Sequence, residues 1–257
     1  MNIVNYHAED RIGYITLNRP DKRNALSPEL IKALSEAFDR ATRDEQAKVI
    51  VLKANGEAFC SGADLAFLQQ MQAFSEEENY QDSSRLKELF LKIYTLPKVV
   101  IAQVQGHALA GGCGLATVCD FTFAVPQARF GYTEVKIGFV PAIVMVFLLR
   151  KLGEQKAKQL LLSGDVVQAD EALRLGLINR VVSADQLEHE VREFAQQLIR
   201  QNSAQSMMLT KQMMAAVQSK PLDEALDYAA RLNARARSME DCQRGIAAFL
   251  AKEKIIW

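Results

Sequence analysis

Four glycines punctuate residues 106–120, Gly-His-Ala-Leu-Ala-Gly-Gly-Cys-Gly-Leu-Ala-Thr-Val-Cys-Asp, and their spacing can do chemistry. An apolar, β-branched run (Val99, Val100, Ile101, Val104) ends at Gly106, and a small-residue helix opens after a glycine corner. Glycines at 111, 112 and 114 let backbone approach a ligand closely and leave bare N–H groups at a helix N-terminus. Such a corner can hold a phosphate or a developing oxyanion. The spacing excludes the G-x-G-x-x-G dinucleotide fingerprint, and no Gly-Lys-Ser/Thr follows to make a P-loop. A helix packed tightly on a sheet needs small residues too, and this segment alone does not choose between the two readings.

A second segment repeats the device. Val49–Leu52 reads as a buried strand, Asn55-Gly56 as a turn, and Phe59-Cys60-Ser61-Gly62-Ala63-Asp64-Leu65 as a corner running into a helix marked by Leu65, Leu68 and Met71. Two such corners can converge two backbone donors on one oxygen, the form of an oxyanion hole for a carbonyl that becomes an enolate.

These corners, with Asn18-Arg19-Pro20, Asn24-Ala25-Leu26, Cys119-Asp120 and Phe130-Gly131-Tyr132-Thr133-Glu134, resemble the crotonase (enoyl-CoA hydratase/isomerase) superfamily along essentially the whole chain. The resemblance implies an α/β fold, a spiral of stacked ββα turns with a helical C-terminal region. It also implies a coenzyme A thioester as substrate, with no separate cofactor and no metal. The two donors carried over are the amides of Ala63 and Gly111. Members of this superfamily hydrate, isomerise, decarboxylate or hydrolyse on one scaffold, so the reaction must be read from the site.

Enoyl-CoA hydratases usually carry two glutamates. One has its counterpart here in Glu134, while the position of the other is Gly114. A single carboxylate suffices to move a proton along an allylic system, as in some isomerases of the superfamily. Glu134 could instead pair with Lys136; in the family context it reads as the general acid/base, its flank of Val135, Ile137, Phe139 and Val140 burying the carboxyl and raising its pKa. No other group replaces the absent glutamate convincingly. His107 precedes the donor by four residues, Tyr132 can line the acyl pocket or orient a water, Asp64 reads as a helix cap, and Asp120 as a structural hydrogen-bond acceptor.

For coenzyme A, Lys22 and Arg23 are candidate phosphate partners, with a plain solvated basic turn equally open. Backbone at Ala25 and at Ala63, Asp64 and Leu65 would border adenine and pantetheine. Phe249 and Lys252 match the family's terminal Phe-x-x-Lys, which reaches a coenzyme A bound by a neighbouring subunit. Leu68, Val140, Ile143 and Phe147 are candidate acyl walls. The leading expectation is hydration of a short or branched enoyl-CoA, such as a methylglutaconyl-type substrate. A single-glutamate isomerase is the runner-up, and a non-catalytic acyl-CoA-binding protein is the alternative of another class.

The elements that must position these residues alternate. Ile12–Leu17 alternates apolar and polar as a strand, and Ser27-Pro28 starts a helix whose face is Leu30, Leu34, Ala37, Phe38 and Ala41. Lys48–Lys53, Phe121–Val125 and Leu177–Val182 read as strands, and Pro141–Leu152, Glu154–Leu162 and Ala169–Leu175 as helices. Residues 75–81, polar and acidic, suggest a surface loop or loosely held helix before the amphipathic face of Leu86, Leu89, Phe90 and Ile93. From about Ala184 the pattern is almost wholly helical. The expected organisation is a core over residues 1–183 with the site, and a helical region over 184–257 that forms a trimer or dimer of trimers.

Composition is in keeping with this. Apolar residues make up 49% of the 257, enough for a sizeable core. Lys plus Arg and Asp plus Glu both number 31, so no net field recruits nucleic acid or an anionic membrane. The four cysteines lack metal-ligand spacing and read as reduced thiols. No apolar run reaches a membrane span and the N-terminus lacks a signal-peptide pattern, which points to the cytoplasm.

Overall fold

The computed structural model describes residues 2–257. Strand β1 (Val4–Glu9) pairs antiparallel with β2 (Ile12–Leu17) through a tight turn in which Asp10 and Arg11 both take positive φ, 50° and 64°. That is the geometry of a primed two-residue turn, whose twist matches its strands. All six residues of β2 are buried, against the alternation read from sequence, because β2 lies between β1 and β3 (Val49–Ala54) as an interior strand. Between them, α1 (Pro28–Arg43) begins where expected: Ser27 Oγ accepts from the Leu30 amide, and Leu30, Leu34, Ala37, Phe38 and Ala41 face the core.

The chain then runs β4 (Ala58–Cys60), α2 (Leu65–Met71), α3 (Glu76–Thr95), β5 (Val99–Val104), β6 (His107–Leu109), α4 (Gly111–Thr117), β7 (Phe121–Ala124) and β8 (Arg129–Gly131). It continues through α5 (Ala142–Ser163), interrupted at Gly153, then β9 (Val166–Gln168), α6 (Ala169–Leu175) and β10 (Arg180–Val181). The strands build two sheets, β1-β2-β3-β5-β7-β10 and β4-β6-β8-β9. Each pair β3–β4, β5–β6 and β7–β8 leaves one strand in each sheet and ends in a helix or helical turn, so the chain winds as a spiral of ββα turns. Because β4, β6 and β8 are mutually parallel, their C-terminal ends face one side and the connections after them share that side.

Two local readings sharpen. Of the loop and the helix open for residues 75–81, the helix forms: Ser75 caps the start of α3 through a capping box in which Ser75 and Glu78 bond each other's backbone amides. The last strand shortens to Arg180–Val181, with Asn179 and Val182 still bonded to β7 carbonyls.

The C-terminal region is α7 (Leu187–Gln201), α8 (Ala204–Val217), α9 (Leu222–Arg237) and α10 (Glu240–Ala251). Helix α7 contributes Leu187, Val191, Ala195 and Ile199 to the main buried cluster. Helix α8 is pinned by Lys211, whose Nζ donates to Ile93 O (3.0 Å), Lys98 O (3.0 Å) and Asp120 Oδ2 (2.7 Å). The same Asp120 oxygen accepts the Val100 amide, the structural role expected for it. Helices α9 and α10 bury no residue. Among the described residues no helix is long and apolar enough to cross a membrane.

Candidate active site

The first corner leaves the C-terminal end of β4. Gly62 takes φ +93°, and a Cβ there would meet Ala110 Cβ at 2.9 Å, so both conformation and space demand glycine. The segment 19–26 supports the corner from outside. Leu26 N donates to Gly62 O (2.7 Å), Asp64 N to Leu26 O (2.9 Å) and Ser61 N to Arg23 O (3.1 Å). The Ala63 amide lies between these bonds, and among the described residues it has no acceptor. Asp64 caps α2 through Ala66 N and Phe67 N and also pairs with Arg19 Nη1 at 2.8 Å. Desolvation pushes its carboxyl up, but these hydrogen bonds and the guanidinium outweigh that and hold it below the usual aspartate range. Its carboxylate is therefore occupied in holding the corner.

The second corner leaves β6, the strand beside β4. Its turn is taken by Ala110 at φ 49°, ψ −125°, a strained conformation for a side-chain-bearing residue. The Ala110 amide is held by Gly131 O at 2.7 Å. A Cβ on Gly112 would overlap Cys60 O, so α4 rests directly on the end of β4. A Cβ on Gly62 would lie 3.7 Å from Gly111 N, which shows the two corners in contact. Gly111 is the first residue of α4 and its amide, like that of Ala63, meets no acceptor. Two acceptor-free amides on touching corners leave both N–H groups free to donate to a bound oxygen.

Glu134 arrives on the third parallel strand. Strand β8 pairs with β6 (Leu109 opposite Gly131), and a short 3₁₀ turn, Glu134–Ile137, follows two residues later. Glu134 Oε2 is buried with no hydrogen-bond partner, and no ion pair forms with Lys136. Burial pushes the carboxyl above the usual glutamate range, against a smaller opposing effect of its own backbone amide. The cause is not the flank read from sequence, since Val135, Ile137, Phe139 and Val140 are all exposed.

Gly114 is not an empty slot. A Cβ there would overlap Val144 Cγ1 and come within 2.9 Å of Phe90 Cε2, so α5 and α3 fill the volume of the usual second glutamate. The sequence marked Phe90 only as part of an amphipathic helix face and did not single out Val144, because only the packing of three helices brings them to Gly114. Tyr132, expected to line the acyl pocket or orient a water, is 0% exposed and offers a substrate no surface. Its hydroxyl lies 2.7 Å from Thr117 Oγ1 instead.

Around corner one the structure gathers several residues. Lys22 and Arg23 are exposed beside it and form no ion pair among the described residues, while Ala25 is buried. Leu65 is 81% exposed and Leu68 half-buried on α2. Asn24, noticed only as part of a motif, organises this loop: fully buried at φ 53°, it donates to Asn55 O and Ala58 O and accepts from Arg19 N, each at 2.9 Å. Ile143 and Phe147 line a groove of about 750 Å³ between α3, α5 and α8 instead of the corners. Phe249 is 81% exposed on α10, Lys252 ends that helix at φ 55°, and α10 packs on α8 and α9.

The profile of the enoyl-CoA hydratase/isomerase family matches residues 7–257. A Thermus thermophilus protein described as a candidate enoyl-CoA hydratase is 43% identical over 241 residues, 94% of this chain and 95% of that one. A crotonyl-CoA hydratase of Syntrophomonas wolfei is 33% identical, covering 96% of this chain and 94% of its own. A short-chain-enoyl-CoA hydratase of Clostridium acetobutylicum is 32% identical over 99% and 97%. The crystal structure of an enoyl-CoA hydratase from Mycobacterium smegmatis superposes with a TM-score of 0.92 at 32% identity, covering 100% of this chain and 99% of that one.

Proposed function

Because the chain belongs to the enoyl-CoA hydratase/isomerase family, we propose that it adds water reversibly across the double bond of an α,β-unsaturated acyl-CoA. The thioester oxygen sits between the amides of Ala63 and Gly111. Glu134, as carboxylate, takes a proton from water while the water oxygen bonds to Cβ. The double-bond electrons move through Cα to the carbonyl, and the enolate oxygen is held by the two amides. Glu134 then returns the proton to Cα, and the reverse sequence is dehydration. The observation that carries this reading is the pair of acceptor-free amides on touching corners, with a buried, unpartnered carboxylate oxygen on the neighbouring strand's end.

One carboxylate does both proton transfers, since Val144 and Phe90 occupy the place of a second. That same observation favours double-bond migration as a second reading, in which Glu134 moves one proton along the allylic system. Exposed Phe139 and Val140, which follow the Glu134 turn, suit short or branched acyl groups, a methylglutaconyl-type group among them. Lys22 and Arg23, exposed and free of carboxylates beside corner one, suit the phosphates of coenzyme A. Exposed Leu222, Leu226, Phe249 and Leu250 on α9 and α10 support assembly of residues 184–257 into trimers, with Phe249 and Lys252 reaching a neighbour's coenzyme A. The balanced charge and the lack of a membrane-crossing helix among the described residues suit work in the cytoplasm.

The test is Glu134→Gln, assayed on a panel of enoyl-CoA thioesters for hydration and for double-bond migration. Loss of the proton-exchanging group should lower kcat by about 10²–10⁴-fold with KM little changed. In the parent protein the acid limb of the pH profile should lie above the ordinary glutamate range, because water activation needs the carboxylate and burial raises its pKa. A Gln variant with unaltered kcat would exclude the mechanism, and migration without hydration would select the second reading.

A further inference from the structure

Glu134 has a buried oxygen that no other residue holds, so its direction depends on the backbone that carries it. Just before Glu134 that backbone is anchored. Gly131 O accepts the Ala110 amide at 2.7 Å, and Tyr132, 0% exposed, shares a 2.7 Å hydrogen bond with Thr117 Oγ1. Thr117 is the last residue of α4, so the hydroxyl ties the Tyr132 segment to the helix that begins at Gly111.

Packing alone does not account for the phenol oxygen. A phenylalanine would fill the same volume without desolvating a hydroxyl, which is costly in a core unless hydrogen-bonded. What the hydroxyl adds is register between β8 and α4. We propose that Tyr132 is a positioning residue: its bond to Thr117 holds the segment bearing Glu134 at one placement relative to the Gly111 amide. The proposal rests on Glu134 being the acid/base group. Tyr132 touches no substrate, and acts through the carboxylate two residues on.

Tyr132→Phe and Thr117→Val remove the same hydrogen bond from its two ends while keeping side-chain volume. Each should lower kcat about tenfold with KM within twofold of the parent, and the double variant should lose no more than either single one. Retention of kcat within twofold in both single variants, a loss confined to KM, or multiplicative losses in the double variant would overturn the proposal. Crystal structures of the parent and Tyr132→Phe proteins separate this from the assignment of the reaction. A Glu134 carboxylate displaced or divided between orientations in the variant supports the tether. A single carboxylate orientation identical to the parent's overturns it, whichever thioesters the protein turns over.

Discussion

The two corners solve one problem in opposite ways. At corner one the chain reverses through a glycine, and the helix that follows, α2, buries none of its residues. Its position comes from polar bonds: the Asp64 cap, the Arg19 pair and the strand-like exchange with Leu26. At corner two the turn is taken by a strained alanine, and α4 buries six of its seven residues. Here packing dominates, with Gly112 on Cys60 O and Gly114 under Val144 and Phe90, and the Gly131 O–Ala110 N and Tyr132–Thr117 bonds add to it. One donor is thus on a rigid element and its partner on a compliant one. That division suits a site that must admit a long thioester and then fix its carbonyl, since regions with few buried contacts open at least cost.

The contrast predicts unequal responses. Gly112→Ala attacks the packed corner, because its methyl would overlap Cys60 O and push α4 off β4. Overpacking of this kind typically costs about 1–3 kcal/mol, and a misplaced Gly111 amide about 10²–10³ in kcat. Thermal unfolding and steady-state assay read both, and full activity in a stable variant would show that the corners do not depend on contact.

Asp64→Ala attacks the compliant corner. Loss of a helix cap costs about 0.5–2 kcal/mol, and kcat should fall less than tenfold, since Leu26 still holds the Ala63 backbone. Its folded-state pKa is lowered, so its stabilisation is present at neutral pH and is lost as pH falls through that pKa. The stability gap between parent and variant should therefore close on acidification, and a gap independent of pH would contradict the ion-pair account. Ala110→Gly has the smallest effect. Relief of strain of order 1–3 kcal/mol is offset by about 0.5–1 kcal/mol of glycine backbone entropy. Denaturant unfolding should show a small gain, whereas a loss would mean that the alanine methyl is needed against Gly62.

Legibility in the sequence divides along the same line. Corner two could be read because its glycines are local, and α1 and α6 because Ser27-Pro28 and the apolar spacing are local too. Glu134 was legible through its neighbours Phe130 and Gly131. What escaped depends on distant contacts. Strand β1 alternates exposed Asn5, His7 and Glu9 with half-buried residues and carries no apolar run. The acidic start of α3 hid the Ser75–Glu78 capping box. Tyr132 read as a pocket-lining or water-orienting residue because sequence does not show that Thr117, fifteen residues earlier, lies 2.7 Å from its hydroxyl. Gly114 read as a vacancy because Val144 and Phe90, from two other helices, close over it only in the folded chain.

The central claim, that two touching corners make one oxyanion site facing Glu134, is tested most directly by a crystal structure with an acyl-CoA bound. The thioester oxygen should lie about 2.7–3.1 Å from both Ala63 N and Gly111 N, with the Glu134 carboxylate facing Cα and Cβ. A thioester oxygen bonded to neither amide, or to one with the other still without an acceptor, would contradict it.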